Sequence, residues 1–134
     1  MKVFKFGGAS VKDAAGVKNL SSIVHQQHGQ LIVVVSAMGK TTNLLETLCN
    51  AYFHQDPKTT AIMKELKNFH LDIVNTLFPL NDTIHKHLEE LFTSLENILA
   101  SESSLCYDYE YDRIICFGEL ISTTIISDYL KMKG

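Results

Sequence analysis

Two short apolar runs near the N-terminus predict the β-strands of the chain. Lys2–Phe6 is a β-prone run that stops at a glycine pair. Leu31–Val35 is an unbroken aliphatic run, which predicts a strand buried on both faces, as in a parallel sheet covered by helices. Between the two strands, apolar residues recur at helical spacing over residues 11–24, and Ser10 is placed to cap that helix. The first 36 residues therefore predict a βαβ unit.

After residue 36 the hydrophobic pattern is helical. Four further apolar stripes predict helices around residues 44–52, 62–77, 84–99 and 114–130. Asn81 and Asp82 precede the third stripe, and either side chain is suited to cap that helix. Because two strands do not make a self-sufficient sheet, we expect residues 1–134 to be the front part of a larger α/β protein.

Composition and charge narrow the class of protein. A hydrophobic content of 46% excludes a disordered tail. Fifteen acidic residues against twelve basic ones, with Arg113 as the one arginine, give a net charge of −3 and do not favour a nucleic-acid partner. No apolar run approaches the ~20 residues of a membrane span, the N-terminus does not read as a signal peptide, and the three cysteines lack Cys-x-x-Cys spacing. We expect a cytoplasmic protein with reduced thiols, no membrane partner and no metal site of its own.

The first candidate for chemistry is the segment Lys5-Phe6-Gly7-Gly8-Ala9-Ser10, where a strand ends and a helix is predicted to begin. Adjacent glycines allow backbone N–H groups to converge on an anion, and the N-terminus of the helix would reinforce that site. Lys5 can direct its ammonium group to the same place. A tight strand-to-helix turn with a surface lysine explains the spacing equally well. The pattern matches neither the dinucleotide fingerprint nor a Walker loop.

The second candidate is the hydroxyl-rich segment 36–43, at the carboxyl end of the second strand. Open α/β sheets bind their ligands at such ends. The hydroxyls of Ser36, Thr41 and Thr42 and the amide of Asn43 can bond a small polar substrate. The alternative is that these hydroxyls only cap the next helix.

The third candidate is Glu119, an acidic residue inside the apolar run 114–121. A buried carboxylate is costly without a partner, so a functional role or a lysine partner is expected. A surface position on the helix is the alternative. The adjacent Gly118 would leave room for a ligand against the helix.

Taken in this order, the three segments resemble the N-terminal part of aspartate kinases, in the amino-acid kinase family. The motifs that carry the resemblance are Lys5-Phe6-Gly7-Gly8-x-Ser10-Val11, Ser36-Ala37-x-x-x-Thr41-Thr42-Asn43-Leu44-Leu45 and Gly118-Glu119-Leu120-x-Ser122-Thr123. They span nearly the whole chain, and their combination is far more specific than any one of them. The resemblance implies the αβα sandwich of that family, with residues 1–134 forming its N-terminal portion, a βαβ unit followed by several helices.

The resemblance also implies a reaction and a nucleotide site. The reaction is ATP-dependent phosphorylation of the β-carboxylate of L-aspartate, the first step towards lysine, threonine and methionine, with Mg²⁺ accompanying the nucleotide. Lys5 would contact the transferring phosphoryl group. Gly7, Gly8 and Ser10 would bind the ATP phosphates. One departure is Ala9, which stands where the family usually has a threonine or serine.

On the aspartate side, the resemblance implies that Ser36 and Thr42 help hold the substrate and that Glu119 binds its α-amino group. The second half of the kinase domain and the ACT regulatory domains of the family lie outside these residues. We therefore expect that the 134 residues alone do not turn over. A homodimer is compatible with the resemblance.

Two alternatives stay open at this stage. One is another kinase of the same family, acting on glutamate, acetylglutamate or a nucleotide such as uridylate, since such kinases share the glycine-pair loop. Thr42-Asn43 and Gly118-Glu119-Leu120 favour an aspartate kinase over that alternative. The other is a non-catalytic module that binds a small ligand.

Overall fold

The computed structural model describes residues 1–80 and 82–134. The elements in chain order are β1 (Lys2–Phe6), α1 (Ala14–His25), β2 (Leu31–Val35), α2 (Thr41–Phe53), α3 (Thr59–Leu77), α4 (Thr83–Ala100), α5 (Tyr107–Ile115) and α6 (Phe117–Lys133). Both strands occupy the predicted residues, and α2, α3 and α4 contain three of the predicted stripes. The predicted βαβ unit followed by several helices is therefore confirmed.

The two strands form a parallel sheet with helices on one face. Lys5 pairs with Val34 and Phe6 with Val35. Phe6 and Val35 pack against the helical core. On the other face, Ile32 and Val34 are 47% and 45% exposed. The prediction that β2 is buried on both faces is therefore wrong for the described residues, because the helices pack against one face of the sheet.

Helix α1 begins later than its apolar stripe predicts. Its N-cap is Asp13, whose carboxylate accepts a hydrogen bond from the N–H of Gly16 at 2.8 Å. The prediction that Ser10 caps this helix is therefore wrong. Ser10 instead belongs to a turn, in which its N–H donates to the carbonyl of Gly7 at 2.9 Å. Gly16 lets this turn pack against α1, since a Cβ there would lie 2.5 Å from the carbonyl oxygen of Ser10.

The core lies between the sheet and helices α1 to α6. Its largest fully buried side chains are Phe92, Leu20, Met38, Leu45, Leu48, Leu66, Ile84, Leu88, Leu95, Ile114, Ile121 and Ile125. Asp82 caps α4 as predicted, because its carboxylate accepts a hydrogen bond from the N–H of Ile84 at 3.1 Å. The other predicted cap, Asn81, lies outside the described residues. No helix in the described part of the chain is both long and apolar enough to cross a membrane.

The last predicted helix is two helices, α5 and α6, which meet at Cys116. The apolar pattern does not reveal this boundary, because Ile114 and Phe117 are both buried on either side of it. Within α5, Glu110 and Arg113 lie one helical turn apart, a spacing typical of an ion pair. In the structure Arg113 donates to the carboxylate of Glu110, which is fully buried.

Candidate active site

The glycine segment and the hydroxyl segment are in direct contact. The N–H of Gly39 donates to the carbonyl of Gly8 at 3.0 Å, and the N–H of Ser36 donates to the carbonyl of Phe6 at 3.0 Å. A Cβ at Gly8 would lie 2.7 Å from the carbonyl oxygen of Ala37. A glycine is therefore required at position 8 for the two segments to approach each other. We call residues 7–13 the glycine loop and residues 36–40 the hydroxyl loop.

The glycine loop offers backbone donors beside an open position. No heavy atom would lie within 4 Å of a Cβ at Gly7, apart from its chain neighbours. Among the described residues, the N–H groups of Gly7, Gly8 and Ala9 donate to no backbone carbonyl. Three successive free N–H groups can hold an anion. Helix α1 begins only at Ala14, and its N-cap Asp13 already accepts a hydrogen bond from the N–H of Gly16, so reinforcement of the anion site by this helix stays a prediction.

The hydroxyl loop leads directly into α2, whose N-terminus has no side-chain cap. Its N-cap residue is Lys40, which makes no capping bond. The hydroxyl of Thr41 donates instead to the carbonyl of Met38 at 2.6 Å. The alternative that these hydroxyls only cap the helix is therefore not supported. In the first turn of α2 the N–H of Thr41 donates to the carbonyl of Met38 at 3.0 Å, whereas the N–H groups of Thr42 and Asn43 donate to no backbone carbonyl among the described residues. Thr42 is half-buried, and these two N–H groups remain available to a carboxylate.

Helix α6 contacts the hydroxyl loop from a third side. The hydroxyl of Ser122 donates to the carbonyl of Ser36 at 2.7 Å. A Cβ at Gly118 would lie 2.8 Å from the Cβ of Ala37. Gly118 thus permits close packing of α6 on the loop, and the prediction that it leaves room for a ligand is wrong. Through these contacts the structure brings the three predicted segments together.

Glu119 lies in the first turn of α6, next to the contact between Gly118 and the hydroxyl loop. Its side chain is exposed, so the expected burial is wrong. The reason is helical geometry, since Phe117 and Ile121 occupy the buried face of α6 and Glu119 does not. Within the described residues its carboxylate forms no ion pair. The surface alternative is therefore the observed one, and the carboxylate is accessible to a ligand.

Lys5 and Ser10 are also exposed. Lys5 is the penultimate residue of β1 and lies at the carboxyl edge of the sheet, two residues before Gly7. Its ammonium group forms no ion pair with any residue of the ranges 1–80 and 82–134. A free ammonium group and the free N–H groups of the glycine loop therefore occur at the same edge of the sheet.

Two concave surfaces lie near this region, and the smaller of them overlaps the start of α2. A cleft of about 1080 Å³ is bordered by Tyr52, Lys64 and Glu96 and contains none of the predicted site residues. A depression of about 300 Å³ borders Lys40 and Thr41 and reaches Phe69. The candidate site is therefore defined by the convergence of three segments that carry free donors and charges, and not by the volume of a cavity.

Sequence reasoning missed two residues that support the hydroxyl loop. One is Ser122, which lies in a recognised motif but was given no role. The other is His70 of α3, which is fully buried and lies 3.3 Å from the hydroxyl of Thr41. Burial lowers the pKa of His70 to about 4, although its bond to the carbonyl of Leu66 partly opposes this shift. A histidine within an apolar stripe was the available signal.

A methyl group at Gly118 is expected to destabilise the protein. The change Gly118→Ala should lower the free energy of unfolding by about 1–2 kcal/mol, even though alanine is the better helix former, because the new Cβ would press on Ala37. The measurement is urea unfolding followed by circular dichroism. Gly7→Ala is the matched control, since its Cβ would meet open space, and it should stay within about 0.5 kcal/mol of the parent protein. Equal losses for the two variants would contradict the packing described here.

Comparison with known proteins assigns the chain to a family. A sequence profile described as Amino acid kinase family matches residues 1–134, and the chain belongs to that family. The relatives that resemble it are aspartokinases. Aspartokinase 2, chloroplastic, of Arabidopsis thaliana is 32% identical over 98% of this chain, and the bifunctional aspartokinase/homoserine dehydrogenase of Buchnera aphidicola is 31% identical over 100% of it. The chain spans 25% and 17% of the lengths of these two proteins.

Solved structures give the same picture of the fold. A crystal structure of E. coli aspartokinase III in complex with lysine and aspartate matches 99% of this chain with a TM-score of 0.86 and 25% identity. A second structure of that enzyme, in complex with aspartate and ADP, matches with a TM-score of 0.85. The chain covers 29% of each of these structures. The predicted resemblance to aspartate kinases and the predicted fold class, the N-terminal portion of the amino-acid kinase fold, are confirmed.

Proposed function

We propose that these residues are part of an aspartate kinase. Residues 1–134 supply its L-aspartate site and part of its site for the ATP phosphates. The observation that carries this proposal is the contact of the glycine loop and of α6 with the hydroxyl loop. This contact gathers a lysine, free backbone donors and a carboxylate from distant parts of the sequence. The aspartokinase relatives support the same assignment.

The proposed reaction needs positive charge more than it needs a base. The β-carboxylate of aspartate is ionised at neutral pH, so no side chain has to remove a proton from the nucleophile. The difficulty is to bring this anion to the γ-phosphoryl group of ATP. Positioning and electrostatic stabilisation lower such barriers. Lys5 is the residue proposed to supply the positive charge, with the N–H groups of Gly7 and Gly8 beside it.

The two charged groups on the α-carbon of aspartate find opposite partners in the site. The exposed carboxylate of Glu119 suits the α-ammonium group. The uncapped N-terminus of α2 suits a carboxylate, because its free N–H groups and the helix dipole favour negative charge. Ser36 and Thr42 would add hydroxyl hydrogen bonds at the same place.

The glycine loop fits the phosphates of ATP. Gly7 faces open space and stands beside free N–H groups, which is the arrangement that an anion requires. Ser10 adds an exposed hydroxyl on the same loop. Mg²⁺ would enter with the nucleotide, as the resemblance to aspartate kinases implies. The methyl group of Ala9 supplies no hydroxyl to the phosphates. A cytoplasmic location and a homodimer stay predictions.

Removing the charge of Glu119 is expected to weaken L-aspartate binding. Glu119→Gln should raise the dissociation constant about tenfold or more, since it removes the partner of the α-ammonium group. The measurement is isothermal titration calorimetry. Asp108→Asn is the matched control, because Asp108 is likewise an exposed acid in the first turn of a helix, α5.

Two outcomes would count against the assignment. Unchanged aspartate affinity in Glu119→Gln would reject the role of Glu119. Preferential binding of L-glutamate or of N-acetylglutamate by the parent protein would favour a different kinase of the family. N-acetylglutamate is the sharper comparison, because its nitrogen carries no positive charge for Glu119 to bind.

A further inference from the structure

A buried histidine connects α3 to the start of α2. The Nδ1 atom of His70 lies 2.9 Å from the carbonyl oxygen of Leu66, and its Nε2 atom lies 3.3 Å from the hydroxyl oxygen of Thr41. The same hydroxyl lies 2.6 Å from the carbonyl oxygen of Met38. Three successive polar contacts therefore run from the backbone of α3 to the backbone of the hydroxyl loop.

While the ring of His70 is neutral, these three contacts share two protons, one on the ring and one on the hydroxyl of Thr41. Nδ1 faces a carbonyl, so it carries the proton of the ring and donates it to Leu66. Nε2 is then an acceptor, and the one proton of the Thr41 hydroxyl has two acceptors, Nε2 and the carbonyl of Met38. The position of the hydroxyl therefore depends on both acceptors. Loss of the ring would leave that hydroxyl with Met38 alone.

Helix α3 also packs on Gly39, the residue that follows Met38 in the hydroxyl loop. A Cβ at Gly39 would lie 3.5 Å from the Cζ atom of Phe69, the neighbour of His70. Gly39 has a φ of 55°, in the left-handed region that favours glycine, and its N–H donates to Gly8. A movement of α3 relative to α2 would thus displace the hydroxyl loop and, through the bond from Gly39 to Gly8, the glycine loop.

We infer that His70 is a positioning residue for the L-aspartate site. It holds Thr41, and through Thr41 it fixes the first turn of α2, where Thr42 and the free N–H groups are proposed to bind the substrate. His70 is buried in the core and does not itself touch the substrate. This inference rests on the proposed function, because it concerns the geometry of that site.

Two substitutions at position 70 separate the hydrogen bond from the packing. His70→Leu fills the space but offers Thr41 no polar atom. His70→Gln keeps a polar group at about the reach of Nε2. Thr41→Val removes the hydroxyl from the other side of the contact at nearly constant shape. Ile84→Val is the control, since it trims a fully buried side chain at the start of α4 and alters none of these contacts.

The experiment measures L-aspartate affinity by calorimetry and backbone amide exchange of residues 38–43 by NMR. We expect His70→Leu and Thr41→Val to weaken binding about threefold to tenfold and to speed exchange in this segment. His70→Gln should restore both readouts, and Ile84→Val should change neither, although it lowers overall stability. Should His70→Leu not fold, Thr41→Val tests the hydroxyl that contacts both His70 and Met38, and His70→Gln compared with the parent protein tests the ring.

The failure of this inference and that of the proposed function give different results. If the parent protein binds L-aspartate and Thr41→Val and His70→Leu bind it equally well, His70 does not position the site. If His70→Gln does not restore L-aspartate affinity and slow amide exchange in residues 38–43, the inference is likewise overturned. If the parent protein binds no L-aspartate, the proposed function is wrong. Amide exchange in residues 38–43 then still decides whether His70 holds the first turn of α2.

Discussion

Replacing Lys5 with methionine is expected to lower the rate of phosphoryl transfer to L-aspartate by about a hundredfold or more in the complete protein. Removal of a single group that stabilises developing negative charge typically costs a factor of ~10²–10³. Lys5 is exposed at the carboxyl edge of the sheet and forms no ion pair with the described residues, so its charge is free for a phosphoryl group. The measurement is a coupled assay with MgATP and L-aspartate at saturating concentrations.

Lys2→Met is the matched control for Lys5→Met. Lys2 lies on the same strand, but three residues away, and its ammonium group donates to the side chain of Gln27 at 3.0 Å. At about 3.3 Å per residue, the two Cα atoms lie about 10 Å apart. We expect Lys2→Met to keep nearly the full rate. Equal losses in both variants, or full activity in Lys5→Met, would show that Lys5 has no special part in the reaction.

The largest effect on stability is expected at Arg113. Its Nε atom donates to the fully buried carboxylate of Glu110, and its Nη2 atom donates to the hydroxyl of Tyr52 at 3.2 Å. Arg113→Leu would leave a buried carboxylate without its cation, a change that typically costs ~3–5 kcal/mol. This is a large share of the ~5–15 kcal/mol by which a domain is stable. Chemical denaturation of the two proteins measures the difference.

The control is a lysine at the same spacing from its acidic partner, Asp128, which also bonds to His87 and so keeps a partner when the lysine is removed. Lys131 lies 3.5 Å from a carboxylate oxygen of Asp128, and its side chain is largely in solvent. Lys131→Ala should change the free energy of unfolding by less than about 1 kcal/mol. A loss in Arg113→Leu as small as that of Lys131→Ala would contradict the role of Arg113 as the partner of a buried charge.

The same ion pair predicts how stability depends on pH. Burial alone would raise the pKa of Glu110, but hydrogen bonds from the N–H of Ser104 and from Arg113 outweigh it and hold the pKa below its usual value. A carboxyl with a depressed pKa in the folded state stabilises the fold above its unfolded pKa, about 4.3. That contribution disappears as the pH falls through the folded pKa. Glu110→Gln should therefore lose stability at pH 7 and show a weaker dependence on pH below about 4.3.

The local pattern of the sequence was enough for the strands and for most helices. β1 and β2 stop at Gly7 and Ser36, where the β-prone runs end, and Asp82 marks the start of α4. These features depend on neighbouring residues, so a local pattern can reveal them. The boundary at Cys116 was missed because the apolar pattern continues through it.

Burial was harder to predict than secondary structure. Ile32 and Val34 are as apolar as the rest of β2. The packing of helices that are distant in sequence decides which face of the sheet is covered, and these two residues lie on the uncovered face. Glu119 has apolar neighbours in sequence, yet it lies on the outer side of α6. Composition alone does not tell which side of an apolar helix faces the core when both sides carry apolar residues.

The sequence predicted the three segments of the candidate site. It did not predict the contacts that support them. Ser122 bonds to Ser36 across 86 positions of sequence, and His70 contacts Thr41 across 29. Such pairs depend on the tertiary arrangement, and no spacing rule identifies them. The resemblance to aspartate kinases gave the residue roles, whereas the structure shows that their segments meet.

An NMR titration with L-aspartate shows whether the three segments form one substrate site. We expect the largest changes in backbone amide shifts in the hydroxyl loop, at Thr42 and at Glu119, and further changes at Gly7 and Gly8 when a non-hydrolysable MgATP analogue is added. Shifts confined to the cleft around Tyr52 and Lys64, with none in the three segments, would show that these segments do not form the L-aspartate site.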